Sequence, residues 1–516
     1  MLSTVYTAAV CGIDAFEVTV ECSAWDRLPR FDMVGLGDTA VKEAKERVRS
    51  AMENSQISFP DLDIMVNLAP ADVRKEGSAF DLAIFLAIIS ASRNLPWDLS
   101  ESSFIGELSL SGEIRGVKGV LCMALAARDA GRRVLYVPRE NAAEASVVEG
   151  LTVYGVSSIK ELLSALGGKI TLTPTRYDKK EFERKRYDGA ADFSDVKGQR
   201  RAKRALEIAA AGGHNVLLIG PPGAGKSMLA KRLPTILPDF TFEEAIETTK
   251  LFSVSGLLTE NIVTARPFRS PHHTVSPAGM IGGGANPKPG EISLAHGGVL
   301  FLDELPEFSK SLTETLRQPL EDGAVTVTRA RARIRYPSEF MLVCAMNPCK
   351  CGNFGSGKMC TCRPGEVQKY LDRISGPLLD RIDIQIELPA VTFDDIRAKG
   401  KEEEGSAAIR ERVNRARAFG KERYARLAEK AGKTGTYTKN ATLSPAELRV
   451  QCALDEEAEE IFRAAFEKLG LSARGHDRLL KVARTIADLA GSESITKMHI
   501  AEAVNYRSLD RKYWKR

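Results

Sequence analysis

The 516-residue sequence predicts an α/β protein in which a parallel sheet forms the central block, between a mixed α+β block and an all-helical block. Short apolar runs alternate with helical patterns in residues 192–395, as a parallel sheet requires. From residue 396 onward the apolar residues recur with helical spacing, and no strand pattern is found. The chain is also long enough for about two to four domains with separate cores.

The block boundaries follow from changes in these patterns. Residues 1–170 form the first block, and residues 171–191, which are charged and contain proline, are predicted to be a solvated linker. The central block covers 192–395, and the helical block covers 396–516. The elements predicted by periodicity are strands at 18–22, 64–68 and 106–110 and helices at 39–54, 79–92, 407–430, 444–468 and 476–489.

Net charge indicates no particular partner, because 73 basic residues nearly balance 68 acidic ones. A surface that binds nucleic acid would therefore have to be local. The N-terminus lacks a signal-peptide pattern, and the longest apolar run, 79–91, is too short to span a bilayer. Nine cysteines, four of them between 349 and 362, suit a reducing compartment better than a disulfide framework. We therefore expect a soluble, cytoplasmic protein without a membrane partner.

A glycine-rich segment in the central block matches the phosphate-binding pattern G-x-x-x-x-G-K-[ST]. Backbone N–H groups of such a loop surround nucleotide phosphates, the lysine reaches the β- and γ-phosphates, and the hydroxyl joins the coordination of Mg²⁺. A predicted buried strand at 215–219 precedes the segment and a helical pattern at 228–232 follows it, as this loop requires. The predicted nucleotide-binding residues are Gly220, Pro221, Pro222, Gly223, Ala224, Gly225, Lys226 and Ser227.

Two further predicted strands end in polar residues that suit nucleotide hydrolysis. The apolar run 298–302 leads into Asp303 and Glu304. Asp303 is predicted to hold Mg²⁺ together with Ser227, and Glu304 to polarise the water that attacks the γ-phosphate. The run 340–346 leads into Asn347. Since ligands bind at the carboxyl ends of strands in open α/β sheets, Asn347 is predicted to contact the γ-phosphate or the water.

Four cysteines follow Asn347 within a short segment: Cys349, Cys351, Cys360 and Cys362. Four thiolates so close together suit a tetrahedral Zn²⁺ site, and a metal there would brace the loop that leaves the preceding strand. Only one residue separates the members of each pair, fewer than the usual spacer. A redox pair or unrelated thiols therefore stay open as alternatives.

Together these segments resemble AAA+ ATPases of the magnesium-chelatase branch, which is itself similar to the minichromosome-maintenance helicases. The resemblance extends to residues 376–383, Gly-Pro-Leu-Leu-Asp-Arg-Ile-Asp, and 472–475, Ser-Ala-Arg-Gly. It implies that Arg381 is an arginine finger reaching the γ-phosphate bound by a neighbouring subunit. It also implies that Arg474 is the sensor-2 arginine on a helical lid. A surface ion pair is the alternative for either arginine.

The interval between the phosphate-binding loop and the acid pair is long, and in this branch it holds a loop or hairpin that faces the pore of a ring. Residues 279–284 are glycine-rich, as such a loop would be. His272 and His273 lie in the same interval. We expect their side chains to point in different directions, which disfavours a metal site there.

Four arginines alternate along residues 325–336: Arg329, Arg331, Arg333 and Arg335, here called the hairpin arginines. On a single strand this period would place all four on one face. Relatives in this branch instead have a short hairpin just before the strand that leads into Asn347, which implies a turn near Arg331. Either geometry clusters positive charge that suits DNA phosphates. A solvated edge or ion pairs with a neighbouring subunit are the alternatives.

The first block resembles the proteolytic domain of Lon and the C-terminal domain of the RadA recombination proteins, a ribosomal S5 domain 2-like fold. The matching stretches are residues 76–83 and 106–114. Ser78 falls at the position of the Lon nucleophile, which needs a lysine as its base. Leu121 stands at the lysine position and Lys118 lies one helical turn earlier. We therefore expect the domain to be proteolytically inactive and to assemble rings or bind DNA.

Over essentially its whole length the chain resembles the YifB/ComM family of magnesium-chelatase-like AAA+ ATPases. The resemblance implies a hexameric ring that uses ATP and Mg²⁺ to move along single-stranded or branched DNA. Such a motor would act as a helicase or branch-migration enzyme in DNA recombination during natural transformation. The alternatives are a magnesium-chelatase-like remodeller that acts on a protein partner and an ATP-dependent protease.

Overall fold

A computed structural model describes residues 1–35, 37–93, 95, 97–185, 191–284, 287–329, 332–355, 357–390, 403–430 and 437–514. Its strands are β1 (Leu2–Cys11), β2 (Asp14–Trp25), β3 (Arg30–Val34), β4 (Asp63–Ala69), β5 (Ser102–Phe104), β6 (Glu107–Leu108), β7 (Ile114–Arg115), β8 (Val134–Pro138), β9 (Thr152–Val156), β10 (Val216–Ile219), β11 (Phe268–Arg269), β12 (Gly282–Gly283), β13 (Lys288–Pro289), β14 (Val299–Leu302), β15 (Ala324–Arg329), β16 (Ala332–Pro337), β17 (Met341–Met346) and β18 (Ile384–Glu387). Its helices are α1 (Thr39–Asn54), α2 (Asp81–Arg93), α3 (Val120–Asp129), α4 (Ala142–Ala145), α5 (Ile159–Leu166), α6 (Lys179–Lys185), α7 (Arg200–Gly212), α8 (Lys226–Arg232), α9 (Phe242–Ser255), α10 (Pro277–Ile281), α11 (Glu291–Leu294), α12 (Lys310–Thr315), α13 (Arg317–Asp322), α14 (Pro364–Leu371), α15 (Gly376–Leu379), α16 (Ser406–Lys430), α17 (Pro445–Gln451), α18 (Glu456–Leu469), α19 (Ala473–Leu489), α20 (Lys497–Asn505) and α21 (Leu509–Trp514).

The described residues form two compact units. The first unit contains residues 1–184, 242–264 and 332–334, and the second unit contains the rest. This division differs from the predicted blocks, because residues 242–264 and 332–334 lie inside the predicted central block but belong to the first unit. The predicted central and helical blocks also form one unit. The predicted linker also contains α6, in which Phe182 is buried.

The first unit is built on a seven-stranded mixed sheet with the order β3-β4-β2-β1-β5-β8-β9. Helix α2 lies against β1 and β2, and every residue from Leu82 to Ile89 is buried. A helix that is apolar on all sides belongs in a core, which explains why its pattern has no polar face. The strands predicted at 18–22 and 64–68 lie within β2 and β4, and the helix predicted at 39–54 is α1, so these predictions are confirmed.

Residues 242–264 are held in the first unit by polar and aromatic contacts. Helix α9 packs against α3, and the Ser253 hydroxyl donates a hydrogen bond to the buried carboxylate of Glu144. The Gly119 N–H donates to the Ser253 carbonyl oxygen at 3.2 Å. Phe242 meets the edge of Phe182 with the ring centroids 5.6 Å apart. No local pattern in residues 242–264 indicates that the segment packs with the first unit, because the sequence of α9 has an ordinary helical pattern.

The second unit contains the predicted parallel sheet, with the order β11-β14-β17-β10-β18 and every described pair of neighbours parallel. All residues of β10, β14 and β17 are buried. Strands buried on both faces have continuous apolar sequences, as these do. The parallel register places the ends of β10, β14 and β17 at one edge of the sheet, so the segments that follow them lie together.

The helical part of the second unit packs α16 and α19 against α7. The predicted single helix at 444–468 is wrong, because the chain forms α17 and α18 instead. The Asp455 carboxylate caps α18 by accepting the Ala458 N–H at 2.7 Å, which starts a new helix there. Within the described ranges, no helix combines the length and apolar content needed to cross a bilayer.

Candidate functional site

The glycine-rich loop connects β10 to α8. Gly223 and Gly225 have φ values of +78° and +87°, a region that favours glycine. These positions of the loop therefore need glycine for their backbone conformation. Lys226 begins α8, and its Nζ donates hydrogen bonds to the carbonyl oxygens of Gly220 at 2.7 Å and Pro221 at 3.0 Å. A third bond, of 3.0 Å, goes to Oδ1 of Asn347.

Burial lowers the pKa of Lys226 below its ordinary value, and the negative charges of Asp303 and Glu304 act against this shift. The two carboxylates therefore favour the charged form of the lysine in a site that disfavours charge. Lys226 is buried, and its described partners are two loop carbonyls and one amide oxygen, which it is able to exchange for phosphate oxygens.

The acid pair follows β14 directly. The Ser227 hydroxyl donates a hydrogen bond of 2.7 Å to Oδ2 of Asp303, so the two predicted Mg²⁺ ligands lie side by side. Oxygen ligands of this kind suit Mg²⁺, which keeps several waters and takes few protein ligands. Glu304 follows Asp303 in the chain, and its side chain is 62% exposed. Its backbone is left-handed, with φ of +53°, which is unusual for a residue other than glycine.

His273 is a neighbour of Glu304 that the sequence analysis missed. Its Nδ1 lies 4.0 Å from Oε2 of Glu304, and its ring meets Phe308 edge to face. The expectation that the two adjacent histidines point in different directions is wrong, because the rings of His272 and His273 lie 4.0 Å apart. Among the described residues neither histidine belongs to a group able to hold a metal. The only sequence signal that could have placed His273 near Glu304 was the position of the two histidines just after β11, the strand beside β14.

Gln199 is a second residue that the sequence analysis did not single out. It precedes α7 with a left-handed φ of +52°. Its amide donates hydrogen bonds to the Ala224 carbonyl oxygen at 3.3 Å and the Pro389 carbonyl oxygen at 3.0 Å. Gln199 thus joins the phosphate-binding loop to the chain that leaves β18. A polar residue after a glycine and before a helix is too common a pattern to have revealed this role.

Arg381 lies at the opposite edge of the sheet from the phosphate-binding loop. The Asn215 side chain, at the amino end of β10, donates to the Arg381 carbonyl oxygen at 2.9 Å. The Arg381 guanidinium is almost fully buried, donates to the Pro377 carbonyl oxygen at 2.6 Å and pairs with Glu321. It lines a cleft of about 400 Å³. The other charged residues of this cleft are Glu321, Asp322, Glu339, Asp383, Lys439, Arg478 and Lys481.

The remaining predicted arginines are exposed where the structure describes them. Arg474 lies in the first turn of α19 with its side chain exposed. Strands β15 and β16 form a two-stranded sheet, which confirms the predicted hairpin. The side chains of Arg333 and Arg335 on β16 are exposed. Arg331 lies outside the described residues, as does the side chain of Arg329.

The four clustered cysteines lie together after β17. All four sulfur atoms are within 4.8 Å of one another. Cys349 and Cys351 are 3.4 Å apart, and Cys360 lies 3.8 Å from the first and 3.6 Å from the second. Backbone N–H groups of Asn353 and Thr361 that point at the sulfur lower the pKa of Cys351 to about 5. The four cysteines thus form a compact set of sulfur ligands.

The predicted protease position lies in the first unit. The Ser78 hydroxyl donates a hydrogen bond to the Glu107 carboxylate, and no described hydrogen bond joins Ser78 to a lysine. Leu121 is fully buried. Lys118 packs against Gly256, where a Cβ atom would lie 2.8 Å from its Nζ. Lys75, three residues before Ser78, is buried and donates to the Pro70 carbonyl oxygen. These contacts do not assemble a serine–lysine pair.

Three family models match this chain. The model described as magnesium chelatase, subunit ChlI, matches residues 192–396. Subunit ChlI of Mg-chelatase matches 20–141, and the C-terminal model of the same subunit matches 403–507. The match to 403–507 falls on the helical part of the second unit, and the match to 192–396 covers its sheet together with residues 242–264 and 332–334 of the first unit.

Several known proteins are similar to the chain. Competence protein ComM of Haemophilus influenzae is 44% identical over 513 residues, which cover 99% of this chain and 98% of the relative. The uncharacterized protein YifB of Escherichia coli is 43% identical over 515 residues, with the same coverage. DNA repair protein RadA of Treponema pallidum is 40% identical over 82 residues, which are 16% of this chain and 18% of the relative.

Proposed function

Because the chain belongs to the YifB/ComM family of magnesium-chelatase-like AAA+ ATPases, we propose that it is an ATP-driven DNA motor that works as a hexameric ring. The observation that carries the proposal is a set of contacts at one sheet edge. Lys226 bonds to Asn347, and Ser227 bonds to Asp303, at 3.0 Å and 2.7 Å. These residues come from the ends of three neighbouring strands, as nucleotide hydrolysis requires.

In the proposed reaction the loop N–H groups and Lys226 bind the phosphates of ATP, and the lysine gives up its bonds to the loop carbonyl oxygens. Ser227 and Asp303 would hold Mg²⁺, which neutralises charge on the β- and γ-phosphates when bound. Glu304 accepts a proton from the attacking water, and Asn347 keeps Lys226 aimed at the γ-phosphate. In such reactions the rate acceleration comes mainly from the positioning of the reactants and the electrostatic stabilisation of the transition state, and little from covalent catalysis.

We assign Arg381 to a neighbouring active site. Its position at the edge of the sheet opposite the phosphate-binding loop supports action in trans, because the two ends of a sheet face different neighbours in a ring. The pair with Glu321 would hold the guanidinium until a neighbour supplies phosphate. Arg474, on the exposed start of α19, is the proposed sensor-2 residue.

DNA is the proposed substrate, and recombination during natural transformation is the proposed process. The relative named as a competence protein matches over almost the whole chain. The exposed side chains of Arg333 and Arg335 support a phosphate-binding role for the hairpin arginines. The alternative is a remodeller of a protein partner, which the names of the family models favour.

We also propose that Cys349, Cys351, Cys360 and Cys362 hold a structural Zn²⁺. With Zn–S bonds of about 2.3 Å, a tetrahedral site requires sulfur–sulfur distances of about 3.8 Å, close to those found here. Elemental analysis of protein never exposed to a chelator tests this assignment. About one zinc per chain is expected, and a value far below one contradicts it.

ATP hydrolysis by the purified full chain, measured without DNA and with single-stranded DNA, duplex DNA or a four-way junction, tests the motor. We expect strong stimulation, greatest with single-stranded or branched DNA. The Lys226→Ala variant serves as the control for contaminating ATPases. Hydrolysis that responds to none of these DNAs would refute the DNA motor and favour the remodeller, whereas hydrolysis equal to that of the control would refute the ATPase itself.

A further inference from the structure

The cysteine loop and the phosphate-binding loop are in direct contact. On the basis of the proposed ATPase, we propose that residues 349–352 form a wall of the ATP site, and that the four thiolates of residues 349–362 hold this wall in place around Zn²⁺. The metal would then set the affinity of the site for ATP, beyond its role in holding the loop together.

Gly352 makes the contact. Its backbone is left-handed, with φ of +81°, and it lies so close to Pro222 that a Cβ atom would be 2.4 Å from the proline Cδ. Real Cβ atoms do not approach other atoms so closely, so the position accepts only glycine without movement of one loop. Pro222 belongs to the phosphate-binding loop itself. Movement of Gly352 therefore changes the space available to the loop that must surround the phosphates.

The same loop is also anchored to the site through Asn347, two residues before its first cysteine. Asn347 accepts the bond from Lys226, and Cys349 follows two residues later with its side chain fully buried. The Phe354 N–H donates to the Cys349 sulfur at 3.4 Å, so the chain turns back around this ligand. Two ligands, Cys349 and Cys351, thus lie between the residue that holds Lys226 and the residue that touches Pro222.

Few contacts besides a metal would hold this wall in place: the Asn353 amide donates to the Met359 carbonyl oxygen at 3.3 Å, and the Phe354 ring centroid lies 6.3 Å from that of Tyr513. Of the described residues from 349 to 362, only Cys349 and Gly352 are buried. Phe354 is 36% exposed and Met359 is 88% exposed, so the loop has almost no apolar core. Segments that bury so little surface open easily unless they are cross-linked. A zinc ion joined to four points of the loop supplies such cross-links.

Two glycine substitutions test the contact without removing the metal. Gly352→Ala and Gly357→Ala introduce the same methyl group at nearly the same backbone angle, since φ is +81° and +79°. A Cβ atom at Gly357 would meet no atom within 4 Å, so this variant is a matched control for backbone strain. We expect both variants to retain zinc. Gly352→Ala should bind a fluorescent ATP analogue at least about tenfold more weakly than wild type, and Gly357→Ala within about twofold.

Removal of the metal from the full chain tests the same inference independently. A thiol-competing chelator is added and then removed by gel filtration, and binding of the ATP analogue is measured before and after Zn²⁺ is returned. We expect a loss of about tenfold or more that zinc reverses. Equal affinity of the zinc-loaded and zinc-free chains, or of zinc-loaded Gly352→Ala and wild type, would overturn the inference alone. A zinc-loaded wild-type chain that binds no ATP would instead refute the proposed ATPase.

Discussion

Replacement of Glu304 by glutamine separates hydrolysis from ATP binding. The Glu304 side chain is 62% exposed and lies next to, but outside, the contacts among Lys226, Ser227, Asp303 and Asn347. An amide of the same shape cannot accept a proton from water. We therefore expect Glu304→Gln to bind ATP with an affinity within about twofold of wild type while hydrolysis slows severely.

The size of the effect follows from the proposed role. General-base catalysis contributes about 10²–10⁴ in rate, so the variant should lose about 3–5 kcal/mol of transition-state stabilisation. Single-turnover hydrolysis and equilibrium binding of the ATP analogue measure the two quantities separately. Near-normal turnover would refute the role of Glu304. A loss of ATP affinity as large as the loss of hydrolysis rate would show that Glu304 belongs to the contacts that bind ATP.

A matched control lies three residues further along the same turn. Glu307 is 43% exposed and pairs with Arg373 at 3.0 Å. Glu307→Gln should keep hydrolysis within about twofold of wild type, because exposed ion pairs contribute little. Glu304→Gly adds a second test, since glycine adopts φ of +53° without strain. That variant should be as slow as Glu304→Gln and yet resist urea better by up to about 1 kcal/mol.

Three further variants test other parts of the structure. Arg381→Ala should bind ATP and lose hydrolysis, and in mixtures it should slow wild-type subunits; mixtures whose rate falls only in proportion to wild-type content would exclude action in trans. Replacement of all four hairpin arginines by alanine should abolish most of the stimulation by DNA, measured as the ratio of ATP hydrolysis rates with and without single-stranded DNA. Undiminished stimulation would show that the hairpin arginines are not the DNA-binding surface. Asp488→Ala should lower the free energy of unfolding of the helical region by about 3–5 kcal/mol in urea, because it removes the carboxylate that pairs with Arg423 and Arg484, which are both 1% exposed. A loss below about 1 kcal/mol would contradict this account.

The sequence predicted the elements whose signals are local. Strands β10, β14 and β17 are continuous apolar runs, and the glycine-rich loop has a fixed spacing, so both could be recognised residue by residue. The parallel sheet then dictates that Lys226 and Asn347 meet, which a direct bond confirms. Helix α1 has the bounds that the apolar spacing predicted, and the structure adds a cap, since the Asp38 carboxylate accepts the Val41 N–H at 2.9 Å.

Features that depend on distant partners could not be predicted in this way. Nothing near Gly352 in the sequence indicates that Pro222 lies against it, and His273 and Gln199 lack any spacing that marks their partners. The placement of 242–264 with the first unit depends on a buried carboxylate, Glu144, about a hundred residues earlier. The break between α17 and α18 had a local signal in Asp455, but a continuous helical pattern on both sides concealed it.

The Glu304 and Gly352 variants test two different properties of the ATP site at one edge of the sheet, namely hydrolysis and ATP affinity. Glu304 follows β14 and the cysteine loop follows β17, and these strands are neighbours in parallel register. Glu304 has no described contact with the cysteine loop, whereas Gly352 touches the phosphate-binding loop itself. Changes at Glu304 should therefore act on the hydrolysis step, and changes at Gly352 on ATP affinity. Since Glu304 and Gly352 have no described contact with each other, their free-energy effects should add in the double variant, and strong coupling would mean that the cysteine loop also positions the attacking water.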